Sequence, residues 1–388
     1  CVSFIILFYF AFTKLQLSEQ GKNGFSFSFK RKTPIKAVTI SRVECRKLFL
    51  MNGVFLILIL AVGFTVFRTA TAQSYINAEE MYYGYYMKEL TGNYTVDKKD
   101  FLEKSNEKFA PIFQAQQLLN SKKITPAAYK EFMAQHYILN QEYNVFSKVL
   151  GKFNYLKANP DAQFIYDTGY MKLFGITDDK SDLTDTFFAV ILSIMCFSGF
   201  FVMEKTSGMK CVINATPLGR TKTVLAKLQI SAFVAGGIAV LSFLPIMWQI
   251  GKNYGFKGLF VPAMSLEIFS QIPAFIPIIA IIIFMIIARF LATFMLMTVT
   301  LFLSQKSKSY IFALMLSCVL LMFPLLLKYM GVEFAKYLSV YPLFHIAPML
   351  TSPLSTFIAL GYMCAAAAIS WLCADYLLDS YSWYFNEN

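Results

Sequence analysis

The 388-residue chain is strongly apolar: 57% of its residues are hydrophobic and only 15% are charged. Soluble domains carry about a quarter charged residues, so the composition excludes an ordinary soluble protein. The formal net charge of +12 would suit a nucleic-acid-binding protein. However, the basic residues cluster beside hydrophobic runs, as they do on the inner side of membrane proteins. We therefore expect a polytopic, all-α integral membrane protein with membrane lipid, and no nucleic acid, as a partner.

The chain begins inside a hydrophobic run, CVSFIILFYFAF. This run lacks the basic segment and small-residue cleavage site of a signal peptide, so residues 1–14 are predicted to be the end of a truncated transmembrane span. Residues 15–47 are polar and basic. Their second half, 34–47, mixes apolar and cationic residues, which is typical of an amphipathic helix in the membrane interface. We predict a cytoplasmic linker that ends in such an elbow helix.

Six further runs are long enough to cross about 30 Å of hydrocarbon as helices. The first span is assigned to residues 48–69, and the other five lie within residues 185–388, at 187–203, 224–250, 272–303, 310–327 and 354–377.

Two segments between these runs are predicted to lie in the membrane interface. Because Pro273 and Pro277 break the start of the fourth run, residues 264–276 are expected to form a separate interfacial helix. Residues 329–353 are too broken for a crossing and too apolar for a free loop. They are predicted to form a re-entrant or interfacial pair of helices on the outer face.

Residues 70–184, between the first and second spans, are rich in Lys, Glu, Tyr, Gln and Asn. Apolar side chains recur there at helical spacing, and Thr125 followed by Pro126 is typical of a helix start. A mainly helical domain is predicted. The positive-inside rule places this domain outside the cytoplasm and the C-terminus inside. The tyrosines of YYGYY, at 82–86, suit either a peptide-binding surface or a membrane-interface belt.

A basic segment broken by Gly and Pro, EKTSGMKCVINATPLGRTKTVLAKL, occupies residues 204–228 between the second and third spans. This segment and the order of the spans resemble the ABC-2-type permease of bacterial ABC exporters. In that family the loop has the pattern E–x3–G, then a small-residue, Pro and Arg patch, then a Lys entering the next span. The elbow segment and LSQKSKS, with Ser304 and Lys306, also resemble the family. The matching loop positions are Glu204, Gly208, Thr216, Pro217, Gly219, Arg220 and Lys227.

The resemblance implies a six-helix ABC-2-type transmembrane module in the bacterial cytoplasmic membrane, with the helical domain inserted between its first two spans. Segment 204–228 would couple this permease subunit to a separate ABC ATPase, which powers export of a peptide, lipid or drug. Glu204 is expected to pair with an elbow cation such as Arg42 or Arg46. The alternative interpretation of the segment is a plain turn with ordinary positive-inside anchors.

No phosphate-binding G-x-x-x-x-G-K-[ST] motif is present. ATP and Mg²⁺ are therefore expected to bind to the partner subunit. This chain itself is not expected to be an enzyme or to bind a cofactor. A second permease module would complete the pathway: a second copy, a sister chain, or an upstream half fused at residues 1–14. A rival explanation of that run is an extra helix from a misassigned start.

Two other functions remain open at this stage. One is a mechanotransmitting ABC subunit, although such subunits have about four spans. The other is a membrane sensor whose outer domain binds a ligand without solute translocation, although a sensor does not require five further spans.

Arg289 lies near the middle of its apolar run, where a charge costs about 2.5–3.5 kcal/mol to insert. It is expected to line the translocation path, to pair with Asp185 or Glu267, or, if the span starts later, to snorkel toward a surface. His136 and His345 have no ligand-type residues at metal-binding spacing, so no metal site is expected.

Overall fold

The computed structural model describes residues 39–71, 77–177, 179–215 and 220–382. Within these ranges the chain is helical and forms no strands apart from two isolated bridges. The predicted span at residues 1–14 lies outside the described residues, as does the linker up to residue 38. The α-helices, numbered in chain order, are α1 Ile40–Arg46, α2 Val54–Thr71, α3 Ala78–Leu90, α4 Val96–Glu107, α5 Ala110–Asn120, α6 Pro126–Gln135, α7 Tyr137–Ala158, α8 Thr168–Leu173, α9 Lys180–Phe197, α10 Val202–Thr206, α11 Met209–Ala215, α12 Arg220–Asn253, α13 Ile278–Lys306, α14 Tyr310–Ser317, α15 Phe323–Tyr329, α16 Tyr341–Phe344 and α17 Pro353–Ser382.

Six helical segments of the described chain are long and apolar enough to cross a membrane, which confirms the predicted number of spans. They are Val54–Thr71, Lys180–Thr206, Thr221–Asn253, Ile278–Lys306, Tyr310–Tyr329 and Pro353–Ser380. The segments pack as a bundle with two ends. The elbow end holds α1 and segment 204–228, and the domain end faces residues 77–177.

Helix α9 is the centre of this bundle. In the most apolar 18-residue stretch of the segment Lys180–Thr206, 78% is buried, whereas only 11% is buried in the corresponding stretch of Pro353–Ser380. Helix α9 contacts α2, α12, α13 and α14, and its apolar side chains form much of the main core. The lipid-facing surface of the bundle therefore belongs mainly to the outer helices.

Four predicted boundaries are corrected by the structure. The first span begins at Val54 rather than residue 48, because a π-helical turn, Lys47–Met51, extends the elbow and Gly53 turns the chain with a φ of 70°. The second span begins at Lys180 rather than residue 187, since its acidic first turns lowered the apparent hydropathy. Residues 264–276 form two 3-10 turns, Ala263–Ser265 and Glu267–Phe269, instead of one helix. Segment 329–353 contains three short helical pieces rather than two.

Residues 77–177 form a helical domain with its own core, in which α3, α4, α5 and α7 surround Phe109 and Phe146. The predicted helix start is confirmed, because the Thr125 hydroxyl accepts a hydrogen bond from the Ala128 amide (3.3 Å). The tyrosines of YYGYY divide between two environments. Tyr86 is buried in the domain core, whereas Tyr85 is 59% exposed.

The domain is held on the bundle by polar contacts as well as packing. The Tyr155 hydroxyl donates to the Met264 carbonyl (2.8 Å), and the Tyr170 hydroxyl donates to the Lys257 carbonyl (2.8 Å). Burial raises the pKa of Tyr170 to about 12, so this hydroxyl stays protonated at neutral pH and keeps its role as donor. The domain and the loop between α12 and α13 therefore form a common interface.

The central span is interrupted between α9 and α10, and side chains from other helices satisfy the freed backbone groups. Asn52 Nδ2 donates to the Cys196 carbonyl (2.9 Å), and Lys227 Nζ donates to the Phe200 carbonyl (3.2 Å). The Ser304 hydroxyl accepts from the Phe201 amide (3.2 Å). The break is thus clamped by residues from the elbow region, α12 and α13.

Gly199 lies at this break, where Asn52 and Tyr310 approach the backbone closely. An added Cβ would lie 2.4 Å from Asn52 Oδ1 and 2.7 Å from the Tyr310 ring. We expect Gly199→Ala to destabilise the bundle by about 1–3 kcal/mol through overpacking, measured as a lower thermal unfolding midpoint in detergent. In Gly63→Ala the added Cβ meets nothing within 4 Å, so this control should retain the wild-type midpoint or exceed it. Equal midpoints for the two variants would contradict the close packing.

Candidate functional site

Helices α10 and α11, in the first part of segment 204–228, form a short helical hairpin at the elbow end. Helix α10 ends before Gly208, whose φ of 68° lies in the left-handed region that favours glycine. Helix α11 follows at once and leads toward α12, which begins at Arg220. Of the predicted site residues, Thr216, Pro217 and Gly219 lie outside the described part of the chain, as does the side chain of Arg220.

Helix α11 presents an exposed apolar face. Met209 is 45% exposed and Val212 is 66% exposed, and their i, i+3 spacing places them on one side of the helix. Lys210 lies between these two residues in the sequence, and Lys222 follows in the first turn of α12. The surface combines apolar anchors with positive charge, a composition that suits a protein partner carrying acidic groups.

Four charged side chains meet beneath this hairpin, and we call them the elbow cluster: Glu44, Lys47, Glu204 and Lys227. Lys47 Nζ donates to Glu44 Oε1 (2.6 Å) and Glu204 Oε1 (2.9 Å). Lys227 Nζ lies 2.8 Å from Glu204 Oε2 and 3.8 Å from Glu44 Oε2. Glu44, Glu204 and Lys227 are buried, and Lys47 is mostly covered. The two carboxylates and two ammonium groups sum to zero charge.

The surroundings of the elbow cluster explain how its charges are tolerated. Lys227 Nζ also lies 4.6 Å from the centre of the Phe200 ring and 4.5 Å from that of Phe201, distances at which an aromatic face attracts a cation. Burial raises the pKa of Glu44 against the attraction of Lys227 and Lys47. Burial also lowers the pKa of Lys47, but its hydrogen bonds to Glu44 and Glu204 outweigh this and raise it overall.

The same hairpin is tied to the end of α13. Lys205 Nζ donates to the carbonyl of Gln305 and to that of Ser307 (3.3 Å), both next to the break that Ser304 caps. Lys47 follows α1, Lys227 belongs to α12, and the two carbonyls that Lys205 contacts lie at the end of α13. These three elements converge on α10, which itself continues from α9. A displacement of the hairpin therefore acts on α1, α9, α12 and α13 together.

The sequence predicted Glu204 and Lys227 as site residues, but not the partners with which they pair. Glu204 pairs with an elbow cation as predicted, but that cation is Lys47, whereas Arg42 and Arg46 are exposed. Glu44 was missed, although it is the one acidic residue among residues 34–47. An isolated acid in a basic amphipathic helix is the signal that could have found it. Lys227 was predicted to enter the third span, and it lies fully buried in α12.

Removal of one charge from the elbow cluster should be costly. Lys227→Met leaves a buried net negative charge, and we expect a loss of about 3–5 kcal/mol, seen as a lower unfolding midpoint in detergent. Adding Glu204→Gln to this variant restores neutrality and should recover part of the loss. Lys222→Met removes a charge from an exposed position on the same helix and should change little. Equal midpoints for Lys227→Met and Lys222→Met would show that the cluster does not stabilise the fold.

A second buried network, the aspartate cluster, lies toward the domain end and consists of Arg68, Asp182, Asp185, Arg289 and His345. Arg289 Nη2 lies 2.5 Å from Asp182 Oδ1, and Arg289 Nη1 lies 3.0 Å from Asp185 Oδ2. Arg68 Nη1 contacts Asp185 Oδ1 at 2.5 Å, and His345 Nδ1 lies 2.8 Å from Asp182 Oδ2. The network joins α2, α9, α13 and the residue after α16.

The structure decides between the interpretations of Arg289. Its side chain is 1% exposed, so snorkelling toward a surface is wrong. It pairs with Asp185, as one alternative predicted, and with Asp182, which the sequence analysis overlooked. Glu267 is exposed and belongs to a 3-10 turn. Asp182 and Asp185 are spaced i, i+3 before an apolar run, and this spacing was the available signal. The role in a translocation path stays a prediction.

Arg289 holds two aspartates through the two ends of its guanidinium group, which a lysine cannot reproduce. Arg289→Lys should therefore lose about 1.5–3 kcal/mol of stability, the value of a charge-assisted hydrogen bond, although the charge is kept. Thermal unfolding in detergent gives the measurement, with Arg42→Lys at the exposed elbow position as the matched control. A wild-type midpoint for Arg289→Lys would mean that charge alone, without the forked geometry, is sufficient.

Comparison of the chain with protein-family models, curated proteins and solved structures gives no match. The arguments for function therefore rest on the residues and contacts described above.

Proposed function

We propose that this chain is the permease subunit of an ATP-driven exporter, similar to the ABC-2-type permeases that its sequence resembles. A separate ATPase would dock on α11 and drive export of a substrate across a bacterial cytoplasmic membrane. The observation that carries this proposal is the elbow cluster, because it connects the exposed hairpin directly to the central span and to three other elements.

In this mechanism the ATPase contacts the apolar face of α11, with Met209 and Val212 as anchors, and its acidic groups face the exposed Lys222. Movement of the docked hairpin is passed on by the ion pairs of Glu204 with Lys47 and Lys227. Because these pairs are buried and mutually neutral, separating them is costly. The hairpin, elbow and third span therefore move as a unit rather than sliding past one another.

The break between α9 and α10 supplies the pivot for this motion. Hinges are positions at which a few residues absorb a change in backbone angle between rigid elements. Above the break, α9 is embedded in the bundle, whereas below it the hairpin is bound to the elbow. Alternating access between two such permease modules would then follow from rocking at this level. Residues 77–177 would lie on the outer face, where they contribute to selection of the substrate.

The proposal is tested by whether a separate ATPase binds to the chain and is retained during purification. The full chain is expressed with its genomic neighbours and purified in detergent, and the co-purified ATPase and its activity are measured. Val212→Asp places a charge on the proposed anchor and should reduce ATPase retention at least about tenfold, equivalent to about 1.4 kcal/mol. Val96→Asp is the matched control, since Val96 is 68% exposed on the domain, close to the 66% of Val212.

The outcomes separate the exporter from the membrane sensor. Loss of the ATPase in Val212→Asp, with retention in Val96→Asp, supports the exporter. If wild-type protein retains no ATPase, or if both variants retain it equally, the exporter proposal fails and the sensor becomes the better explanation.

A further inference from the structure

A cavity of about 320 Å³ lies at the domain end of the bundle, beside the aspartate cluster. Its walls come from α15, α16, the 3-10 helix Glu333–Leu338 and the first turns of α17. The polar part of the lining includes Asp179, Lys328, Glu333, Lys336, Tyr341 and His345. The volume is within the range of small-ligand sites.

The charged side chains of this cavity form two ion pairs, each of one lysine and one acidic residue. Lys328 Nζ lies 2.7 Å from Asp179 Oδ2, and Lys336 Nζ lies 3.1 Å from Glu333 Oε2. The Lys328 side chain is only 7% exposed, and its ammonium group lies 3.7 Å from the centre of the Tyr341 ring. The two acids and two bases cancel, so the cavity matches a ligand that carries one positive and one negative charge.

Asp179 has acceptor capacity left for such a ligand. Among the described residues, its hydrogen bonds from Lys328 and Tyr341 both end on Oδ2, so Oδ1 is available to a cation. The hydrogen bond from Lys328 holds the pKa of Asp179 below its ordinary value, and the bond from Tyr341 adds to this effect. The carboxylate therefore stays ionised at neutral and mildly acidic pH.

The segments that line the cavity also carry strongly exposed apolar side chains, which we call the apolar rim. Met330 is 78% exposed, Phe334 75%, Leu338 73% and Leu354 74%. Tyr329 and Tyr337 accompany them at 67% and 48%. Exposed apolar side chains mixed with tyrosines at the end of candidate spans are typical of the level of lipid head groups. A ligand would therefore enter the cavity from the bilayer surface.

We propose that this cavity binds the head group of a zwitterionic phospholipid, with its ammonium group at Asp179 and Glu333 and its phosphate at Lys336. The acyl chains extend along the apolar rim. A second cavity of about 500 Å³, between the starts of α13 and α17, has an almost wholly apolar lining that includes Phe284 and Phe357. It has no charged residue among those that line it, and so offers no means of selecting a head group.

The site is next to the aspartate cluster, since His345 lines the cavity and bonds Asp182. A bound head group therefore lies one hydrogen bond away from the buried ion pairs of the central span. Lipid recognition at this cavity does not depend on an ATPase partner.

Native mass spectrometry of the purified full chain tests the proposal. Delipidated protein in detergent is titrated separately with palmitoyl-oleoyl phosphatidylethanolamine and with palmitoyl-oleoyl phosphatidylglycerol, and the retained lipid is counted. We expect about a tenfold preference for the ethanolamine lipid in the wild type. The double variant Asp179→Asn/Glu333→Gln removes both partners of the ammonium group and leaves two lysines, so the preference should reverse toward the anionic lipid.

Two controls keep the test specific. Asp97→Asn/Glu103→Gln removes two exposed acids from the domain, with the same change in net charge, and should retain the wild-type preference. Glu333→Gln alone, at a side chain that is 73% exposed, covers the case in which the double variant fails to fold. It should weaken the preference for the ethanolamine lipid several-fold.

Three kinds of result would overturn the proposal. The first is an unexpected lipid preference: either the wild type shows none, or the double variant keeps that of the wild type. The second is displacement of the lipid by equimolar free phosphoethanolamine, which would make the site one for a soluble zwitterion. The third is binding of a short cationic peptide with exclusion of the lipid, which would make the cavity a peptide site.

Discussion

The structure depends on the pairing of charges inside an apolar bundle. The central span carries Asp182 and Asp185 toward one end and Glu204 at the other, and all three are buried. An isolated buried carboxylate is far too costly to remain ionised in such an environment. Each is compensated by cations from other helices: Arg68 and Arg289 in the aspartate cluster, and Lys47 and Lys227 in the elbow cluster. The arrangement of the helices around α9 therefore follows from where these cations must be.

The two clusters differ in their surroundings, and their structural roles differ accordingly. The elbow cluster lies beneath an exposed hairpin and next to a break in the central span, so it connects a surface to the interior. In the aspartate cluster Arg289, Asp182 and Asp185 are buried among the spans, and Phe243 and Phe344 lie against the Arg289 guanidinium group. It fixes the positions of α2, α9 and α13. One cluster thus links the exposed hairpin to the central span, and the other fixes the spans relative to one another.

The domain end carries two features besides the six spans: the helical domain and the charged cavity. Residues 77–177 pack on the loop between α12 and α13 through tyrosine hydroxyls, which places a second hydrophobic core above the spans. On another side, the broken segment before α17 encloses the charged cavity. This segment supplies both an apolar rim and paired charges, because its short helical pieces turn different faces toward lipid and protein. A single continuous helix could not line the cavity from three directions.

The sequence by itself determined the six apolar helices, the helical domain after the first span, the cap at Thr125 and the elbow position. Each of these follows from local composition or spacing, which residues close in sequence specify. It also singled out Glu204, Lys227 and Arg289, because a charge at the edge or middle of an apolar run is conspicuous. Only the tertiary structure decided which partners these charges have. Lys47 and Glu204 are 157 residues apart, and Arg289 and Asp182 are 107 apart. Periodicity reveals that a side chain is buried, but the packing of separate helices determines what it is buried against.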